Sequence, residues 1–314
     1  MQQYYIGIDL GGTRIKIGLV SEGKILAKKK IAAASAHGLA VNLAAVKEAI
    51  NDLLTTQHIS SKDLKGIGLG FPGLVDAKQG KILSTNQKYD DAPALDLRAW
   101  VNEQWGVPLW IDNDARMAAV GEWKYGAAKD TDDVVVMTIG TGIGTAAIIE
   151  GKLLRGKHSQ AGCLGGHISV QYNGRTCTCG NKGCLEAYGA TWGLPHTVTA
   201  CPGFENSILS KVPVIDFEAV FAAAKQQDKV AAEVIQHCIQ IWSAGIVNLI
   251  HAYDPEVIVL GGGVLNSGNE IIPAITQQVH AHAWCPWGKA DIRPTTLLSD
   301  AGILGVVYCL EHEV

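Results

Sequence analysis

Apolar side chains run almost without a break from Tyr5 to Leu10, a glycine pair follows, and apolar and polar positions then alternate from Arg14 to Val20. That pattern predicts strand, glycine turn, strand. A third strand is expected over Lys24 to Ala32. Apolar residues at 39, 43, 46, 50 and 53 then mark one face of a helix over Leu39 to Thr55. Strands are expected over Lys65 to Pro72 and Val107 to Ile111, and a helix over Ala115 to Tyr125. The second half opens in the same way, with strand, glycine turn and strand from Asp133 to Ile149 and a short strand at Lys152 to Arg155. Helices over 216–226 and 229–252 follow, then a strand from Glu256 to Leu260 that ends in Gly261-Gly262-Gly263. A last strand over Ile292 to Leu297 precedes a C-terminal helix from about Asp300. His196 to Pro213 is weakly patterned and reads only as a connection. Each half is thus a β-β-β-α-β-α unit opening on a glycine-rich hairpin, and such a duplication predicts two similar lobes with a cleft between them. Ligands of open α/β sheets bind beyond the carboxyl ends of the strands, where these turns lie.

Composition narrows the class. Of 314 residues, 47% are hydrophobic and 18% charged, as in a compact enzyme. A net charge of −4 argues against a nucleic-acid or membrane surface. No unbroken apolar run reaches the roughly 18 residues of a spanning helix, and the N-terminus has no export signal. The expected location is cytoplasmic. Three of the eight cysteines, Cys177, Cys179 and Cys184, crowd together. Cys201, Cys238, Cys285 and Cys309 are scattered and are expected to be small buried hydrophobes.

The two turns, Asp9-Leu-Gly-Gly-Thr13 and Thr138-Ile-Gly-Thr-Gly-Ile-Gly144, combine glycines with hydroxyl residues. Glycine lets the backbone come close to a ligand and present N–H groups to anionic oxygens. Asp9 could hold Mg2+ through water. Either turn alone could equally be a hairpin that needs small residues. Two at matching places, with Gly261 to Gly263 as a third glycine site, favour phosphate loops. Neither is a Walker loop.

His167 followed by Cys-Thr-Cys-Gly-Asn-Lys-Gly-Cys184 offers one imidazole and three thiolates, the four ligands of a closed, structural zinc. The other reading is free thiols or a reactive pair. Pro108-Leu-Trp-Ile-Asp-Asn-Asp-Ala115 carries a strand into a helix, with Asn113 and Asp114 at the junction. A carboxylate there can take the proton of a hydroxyl that attacks a γ-phosphate, or it can simply cap the helix.

These glycine turns resemble those of the sugar kinase, actin and heat-shock ATPase superfamily. The segment Gly166-His-Ile-Ser-Val-x5-Arg-x-Cys-x-Cys-Gly-x-x-Gly-Cys-Leu-Glu186 closely resembles the signature of the ROK family of bacterial repressors and kinases, and the likeness runs from the Asp9 loop to Gly-Ile-Leu-Gly at 302–305. The resemblance implies an α/β fold of two ribonuclease-H-like (actin-like ATPase) lobes. The expected N-terminal lobe is residues 1–114 plus 300–314 and the C-terminal lobe is 115–299. It implies ATP-dependent phosphorylation of a free hexose, glucose being the leading candidate, with ATP, Mg2+ and a structural Zn2+. By the same resemblance Asp9, Gly11, Gly12, Thr13 and Lys16 belong to the first phosphate loop. Thr138, Gly140, Thr141 and Gly142 belong to the second, and Gly261, Gly262 and Gly263 border the adenosine. Asp114 matches the family's catalytic base and Asn113 its sugar-binding asparagine, with Asp112 where the family has glutamate. Gly73 and Asn86 match the sugar wall, although Asn86 could also be a turn residue. His167 and Glu186 match sugar-binding residues presented by the zinc scaffold of His167, Cys177, Cys179 and Cys184. A homodimer is implied.

The pattern breaks at one place. Family kinases carry Gly-Glu-x-Gly-His, whereas Ala161-Gly-Cys-Leu-Gly-Gly-His167 has Leu164, or with a one-residue slip Cys163, at the glutamate position. Neither offers a carboxylate to a sugar hydroxyl. The rival reading is a sugar-responsive regulator or a weakly catalytic sugar-binding protein. The eight residues ahead of Asp9 are too few for the helix-turn-helix that family repressors carry there, and Asp9, Asp114 and both loops favour the kinase.

Overall fold

The computed structural model describes residues 2–267 and 269–314. The chain divides into two compact units, one of Met1–Asp130, Lys152–Cys163 and Ser299–Val314, the other of Thr131–Gly151 and Leu164–Leu298.

The first unit is built on a five-stranded sheet. Its strands are β1 (Tyr4–Leu10), β2 (Arg14–Ser21), β3 (Lys24–Ala32), β4 (Leu64–Phe71) and, after the small hairpin β5 (Leu74–Asp76) and β6 (Lys81–Ser84), β7 (Leu109–Asn113), in the order β3-β2-β1-β4-β7. The first three are antiparallel, while β4 and β7 run parallel to β1. Its helices are α1 (Ala40–Thr56), α2 (Leu97–Trp105) and α3 (Asp114–Tyr125). The expected helical stripe is real: Val46, Ile50 and Leu53 of α1 are buried in the core that also holds Ile6, Ile8, Ile15, Ile17 and Ile67. Sequence periodicity missed α2, a nine-residue helix that Asp96 caps by accepting the Ala99 N–H at 2.9 Å.

In the second unit β8 (Val134–Ile139) pairs antiparallel with β9 (Ile143–Ile149). The short β10 (Lys152–Leu153) opens the segment that groups with the first unit. Helices α4 (Leu185–Gly189), α5 (Leu194–Thr199), α6 (Phe217–Lys225) and α7 (Lys229–Tyr253) lead to β11 (Val257–Gly261), which runs parallel to β8. Helices α8 (Gly263–Ser267) and α9 (Ile272–His282) follow, and β12 (Asp291–Pro294) pairs parallel with β11. Residues 196–213 thus hold α5 and two short helical turns rather than a bare connection. By length and composition α7 could cross a membrane, with mean hydropathy 1.3 over its most apolar window. It packs as a core helix, burying Val234, Cys238, Ile241 and Trp242, and the Trp242 indole donates to Gly189 O at 2.9 Å.

The final helix, α10 (Ala301–His312), returns to the first unit and packs on β1, β4 and α3. A methyl group at Gly305 would overlap the Met117 carbonyl of α3, and one at Gly121 of α3 the Ala301 carbonyl. The two helices therefore cross backbone to backbone, which holds α3 in the first unit. The expected lobe boundary at residue 114 had placed α3 on the other side.

Candidate active site and metal centre

The sheet register of the first unit lines up its chemistry. Asp9 lies beside Gly70, Gly70 beside Asp112, and Phe71 beside Asn113, all at the carboxyl ends of parallel strands. Lys16 sits opposite Asp9 across β1 and β2, its ammonium 2.7 Å from Asp9 Oδ2. The first glycine turn closes through Gly11 N–H to Arg14 O at 3.0 Å. Thr13 O accepts the Ala33 N–H at 3.0 Å, and Ser35 Oγ donates to Gly12 O at 2.6 Å.

Strand β7 runs two residues beyond its expected end, so Asn113 closes the strand and Asp114 opens α3. The capping role falls to Asn113, whose Oδ1 accepts the Arg116 N–H at 3.1 Å. Asn113 Nδ2 donates to Gly73 O at 3.0 Å and to Asp114 Oδ1 at 3.1 Å, which brings three of the expected sugar-site residues together. Asp114 is only partly buried. The protein around its carboxyl nevertheless raises its pKa to about 7, first by desolvation and then by the charge of Asp9. The Ala115 N–H and the charge of Lys88 pull the other way. At neutral pH such a carboxyl is poised to accept a proton.

Beneath it lies an ion cluster that sequence reasoning missed. Asp112 and Arg116 are both fully buried, with Oδ1 of Asp112 3.4 Å from Arg116 Nη1 and also accepting the Asn113 N–H at 2.7 Å. Arg155 donates twice to Asp112 Oδ2, at 2.9 and 2.7 Å, and Arg116 Nη2 donates to the carbonyls of Ser159 and Ala161. The cluster fixes the strand end that carries Asn113 and Asp114. Asp112 alone hinted at it in the sequence; the two arginines gave no signal.

In the second unit Gly261 of β11 pairs with Thr138 of β8, and a methyl group at Gly262 (φ 98°) would overlap the Ile139 carbonyl. The triple glycine and the second glycine turn are therefore in contact. That turn is closed by Gly140 N–H to Gly142 O at 2.9 Å and braced by Thr191, whose N–H and hydroxyl both donate to Gly140 O. Thr141 O accepts the Trp192 N–H at 3.4 Å. Glu186, buried on α4, accepts the Ile143 N–H at 2.8 Å through Oε2 and the Trp192 indole N–H at 3.3 Å through Oε1.

His167, Cys177, Cys179 and Cys184 also converge, with all ligand atoms within 4.8 Å of one another. His167 Nδ1 lies 3.6 Å from Cys177 Sγ, and Cys179 Sγ lies 3.7 Å from Cys184 Sγ. A tetrahedral zinc with bonds of about 2.3 Å to sulfur and about 2.0 Å to nitrogen sets its ligands about 3.6–3.8 Å apart. The donor set fits that ion. Burial and the neighbouring thiols push Cys184 up to about 12 when no cation offsets its charge. Gly183 (φ 71°) lets the chain close here, since a methyl group would overlap the Gln171 carbonyl.

Other expectations need correction. Of the scattered cysteines only Cys238 and Cys309 are buried; Cys201 and Cys285 are half-exposed, and Cys201 donates to Glu233. Asn86 takes the turn conformation that was one of its two expected readings, exposed and left-handed (φ 46°). Cys163 is buried with its thiol toward the Ser159 and Gln160 carbonyls, and Leu164 precedes the helical turn at Gly165–His167.

Two open sheets of this strand order, each with a glycine turn at its first strand pair, define an actin-like ATPase fold. The ROK family profile matches residues 5–313, and the chain belongs to that family. It is 33% identical to a glucokinase of Halalkalibacterium halodurans, over 99% of this chain and 96% of that one. It is also 28% identical to a xylose repressor of Bacillus spizizenii, over 98% of this chain and 77% of the repressor. Among solved structures, a ROK family glucokinase from Streptomyces griseus in complex with glucose and AMPPNP superposes with a TM-score of 0.82 at 30% identity, covering 96% of this chain and 97% of that one. A ROK hexokinase from Thermus thermophilus gives 0.80 at 29% identity, covering both chains fully.

Proposed function

We propose that this protein transfers the γ-phosphoryl group of ATP to a hydroxyl of a free hexose, with Asp114 as the base. The observation that carries this reading is the grouping of Gly73, Asn113 and Asp114 at the end of β7, in the unit that also holds Asp9, Lys16 and the first glycine turn. Full-length similarity to glucokinases supports it.

In the reaction the sugar oxygen attacks the γ-phosphorus as the bond to the β-phosphate oxygen breaks. Sugar hydroxyls are too weakly acidic to ionise beforehand, so the proton passes to Asp114 as the new P–O bond forms. Asn113, held by Gly73 O, orients the carboxylate and a sugar hydroxyl. N–H groups of the first glycine turn meet the phosphate oxygens, and Mg2+, when bound near Asp9, would offset their charge. In the second unit, Thr138, Gly140, Thr141 and Gly142 take the second phosphate loop and Gly261 to Gly263 the adenosine side. His167, Cys177, Cys179 and Cys184 would hold a structural zinc, which would fix the imidazole and leave one ring nitrogen for sugar; Glu186 braces the loop that carries Ile143.

ADP release measured across hexoses, hexosamines and ketoses, with and without Mg2+, tests the reading. Turnover of at least one hexose at kcat of order 1 s⁻¹ or more is expected. No sugar-dependent ADP release with any of them would remove it.

A further inference from the structure

Residues 85–90 form a loop locked onto the first glycine turn. Tyr89, fully buried, donates from its hydroxyl to Gly11 O at 2.7 Å and from its N–H to Ser35 O at 2.8 Å. Ser35 in turn donates to Gly12 O at 2.6 Å. Asn86, Gln87 and Tyr89 all hold left-handed φ angles of 46°, 60° and 58°. Left-handed φ is uncommon for residues other than glycine and asparagine, and at Gln87 and Tyr89 it persists only where the surroundings impose it. What the conformation achieves is the placement of Lys88. A methyl group on Gly12 would lie 3.2 Å from Lys88 Cε and 3.6 Å from its Nζ, so this side chain lies over the turn itself.

Two lysines therefore serve the turn, and they differ. Lys16 is tied to Asp9 at 2.7 Å, so its charge is already balanced. Among the described residues Lys88 has no carboxylate at ion-pair distance, yet its charge is felt at Asp114. Lys88 thus lies over the first glycine turn with its charge acting on Asp114, the carboxyl proposed as base.

We propose that Lys88 is a catalytic residue of the phosphoryl transfer, its ammonium meeting the γ-phosphate oxygens over Gly12. The proposal rests on the kinase reading above. As the bond from phosphorus to the β-phosphate oxygen breaks and the sugar oxygen bonds to phosphorus, negative charge spreads over the equatorial oxygens while Asp114 takes the hydroxyl proton and ADP leaves. Lys88 stabilises that charge in place. Because ADP lacks the γ-phosphate, Lys88 distinguishes the triphosphate from the diphosphate.

The test compares wild type, Lys88→Met and Lys88→Arg by kcat on the best hexose and by Kd for ADP and for AMPPNP, with thermal melting as a check on folding. Lys88→Met is expected to lower kcat on the order of 10²-fold. It should weaken AMPPNP about tenfold, as loss of one charged hydrogen bond does, and leave ADP binding unchanged. Lys88→Arg is expected to recover most of the lost kcat. A Lys88→Met enzyme within twofold of wild-type kcat, or one that weakens ADP and AMPPNP equally, would overturn the proposal. Wild type that phosphorylates no hexose would instead remove the functional reading beneath it.

Discussion

Glu186 and Gly142 are packed against each other: a methyl group at position 142 would lie 2.6 Å from Glu186 Oε2, the oxygen that already accepts the Ile143 N–H at 2.8 Å. The carboxylate that the family resemblance assigns to sugar thus supports the second glycine turn. Gly142→Ala has to push Glu186 off its N–H and leave a buried donor unpaired, at a cost of about 1–3 kcal/mol. The expected result is weaker binding of both AMPPNP and the sugar, measured by calorimetry. Loss confined to the nucleotide would show that Glu186 serves the loop alone.

Asp112 and Arg116 form a buried pair in which neither side chain reaches solvent. Asp112→Ala leaves the guanidinium of Arg116 buried without an anion, an arrangement that costs about 3–5 kcal/mol. Urea unfolding is expected to show that loss. Arg155→Met should cost less, because Arg155 is partly exposed and Asp112 keeps Arg116. Equal losses for the two variants would mean that Arg155, rather than the buried pair, anchors the strand end.

The cluster of His167, Cys177, Cys179 and Cys184 makes its own demand. One zinc per chain is expected by metal analysis, and stripping it at neutral pH should abolish sugar binding, because a metal held there would fix His167. Cys179→Ser, which alters a ligand on the exposed side, should lower zinc occupancy before it lowers folding stability. Full sugar affinity in metal-free protein would detach the site from the sugar.

By the family resemblance Leu164 stands where kinases hold a glutamate, and the thiol of neighbouring Cys163 is turned to the Ser159 and Gln160 carbonyls. Leu164→Glu is expected to tighten glucose by about 1.5–3 kcal/mol, the worth of a well-aligned charged hydrogen bond. The wild type should prefer a hexose that differs from glucose around the middle of the ring. A wild-type KM for glucose in the tens of micromolar would contradict this.

Most of the fold could be read from the chain because its signals are local. The glycine turns, the alternation of β2 and the stripe of α1 each follow from a few neighbouring residues. The convergence of His167 with the cysteines was legible for the same reason, three of the four lying within eight residues. What escaped depends on distance along the chain. Arg155 reaches Asp112 across 43 residues, and Tyr89 reaches Gly11 across 78, with no pattern at either end to announce the contact. Helix α9 was a different kind of miss, since Ile272, Ile275 and Val279 do carry helical spacing. The Asn113–Asp114 junction shows how an ambiguity was resolved: the sequence left the carboxylate as base or cap, and extension of β7 gave the cap to Asn113.

The central claim is that Asp114 takes the proton of a sugar hydroxyl, and its pH dependence tests this most directly. A base must be ionised to act, and the carboxyl of Asp114 is raised to about 7 by burial and by Asp9. Activity should therefore be full above that pH and fall tenfold per unit as pH drops through and below it. The measurement is kcat/KM for the best hexose from pH 5 to 9, in wild type and in Asp114→Asn, with the sugar phosphate identified by phosphorus NMR. The account requires an acid limb near pH 7 in wild type. It also requires a loss on the order of 10²–10⁴-fold in the variant, with that limb gone and AMPPNP still bound. An Asp114→Asn enzyme that keeps wild-type turnover and the same acid limb would contradict it.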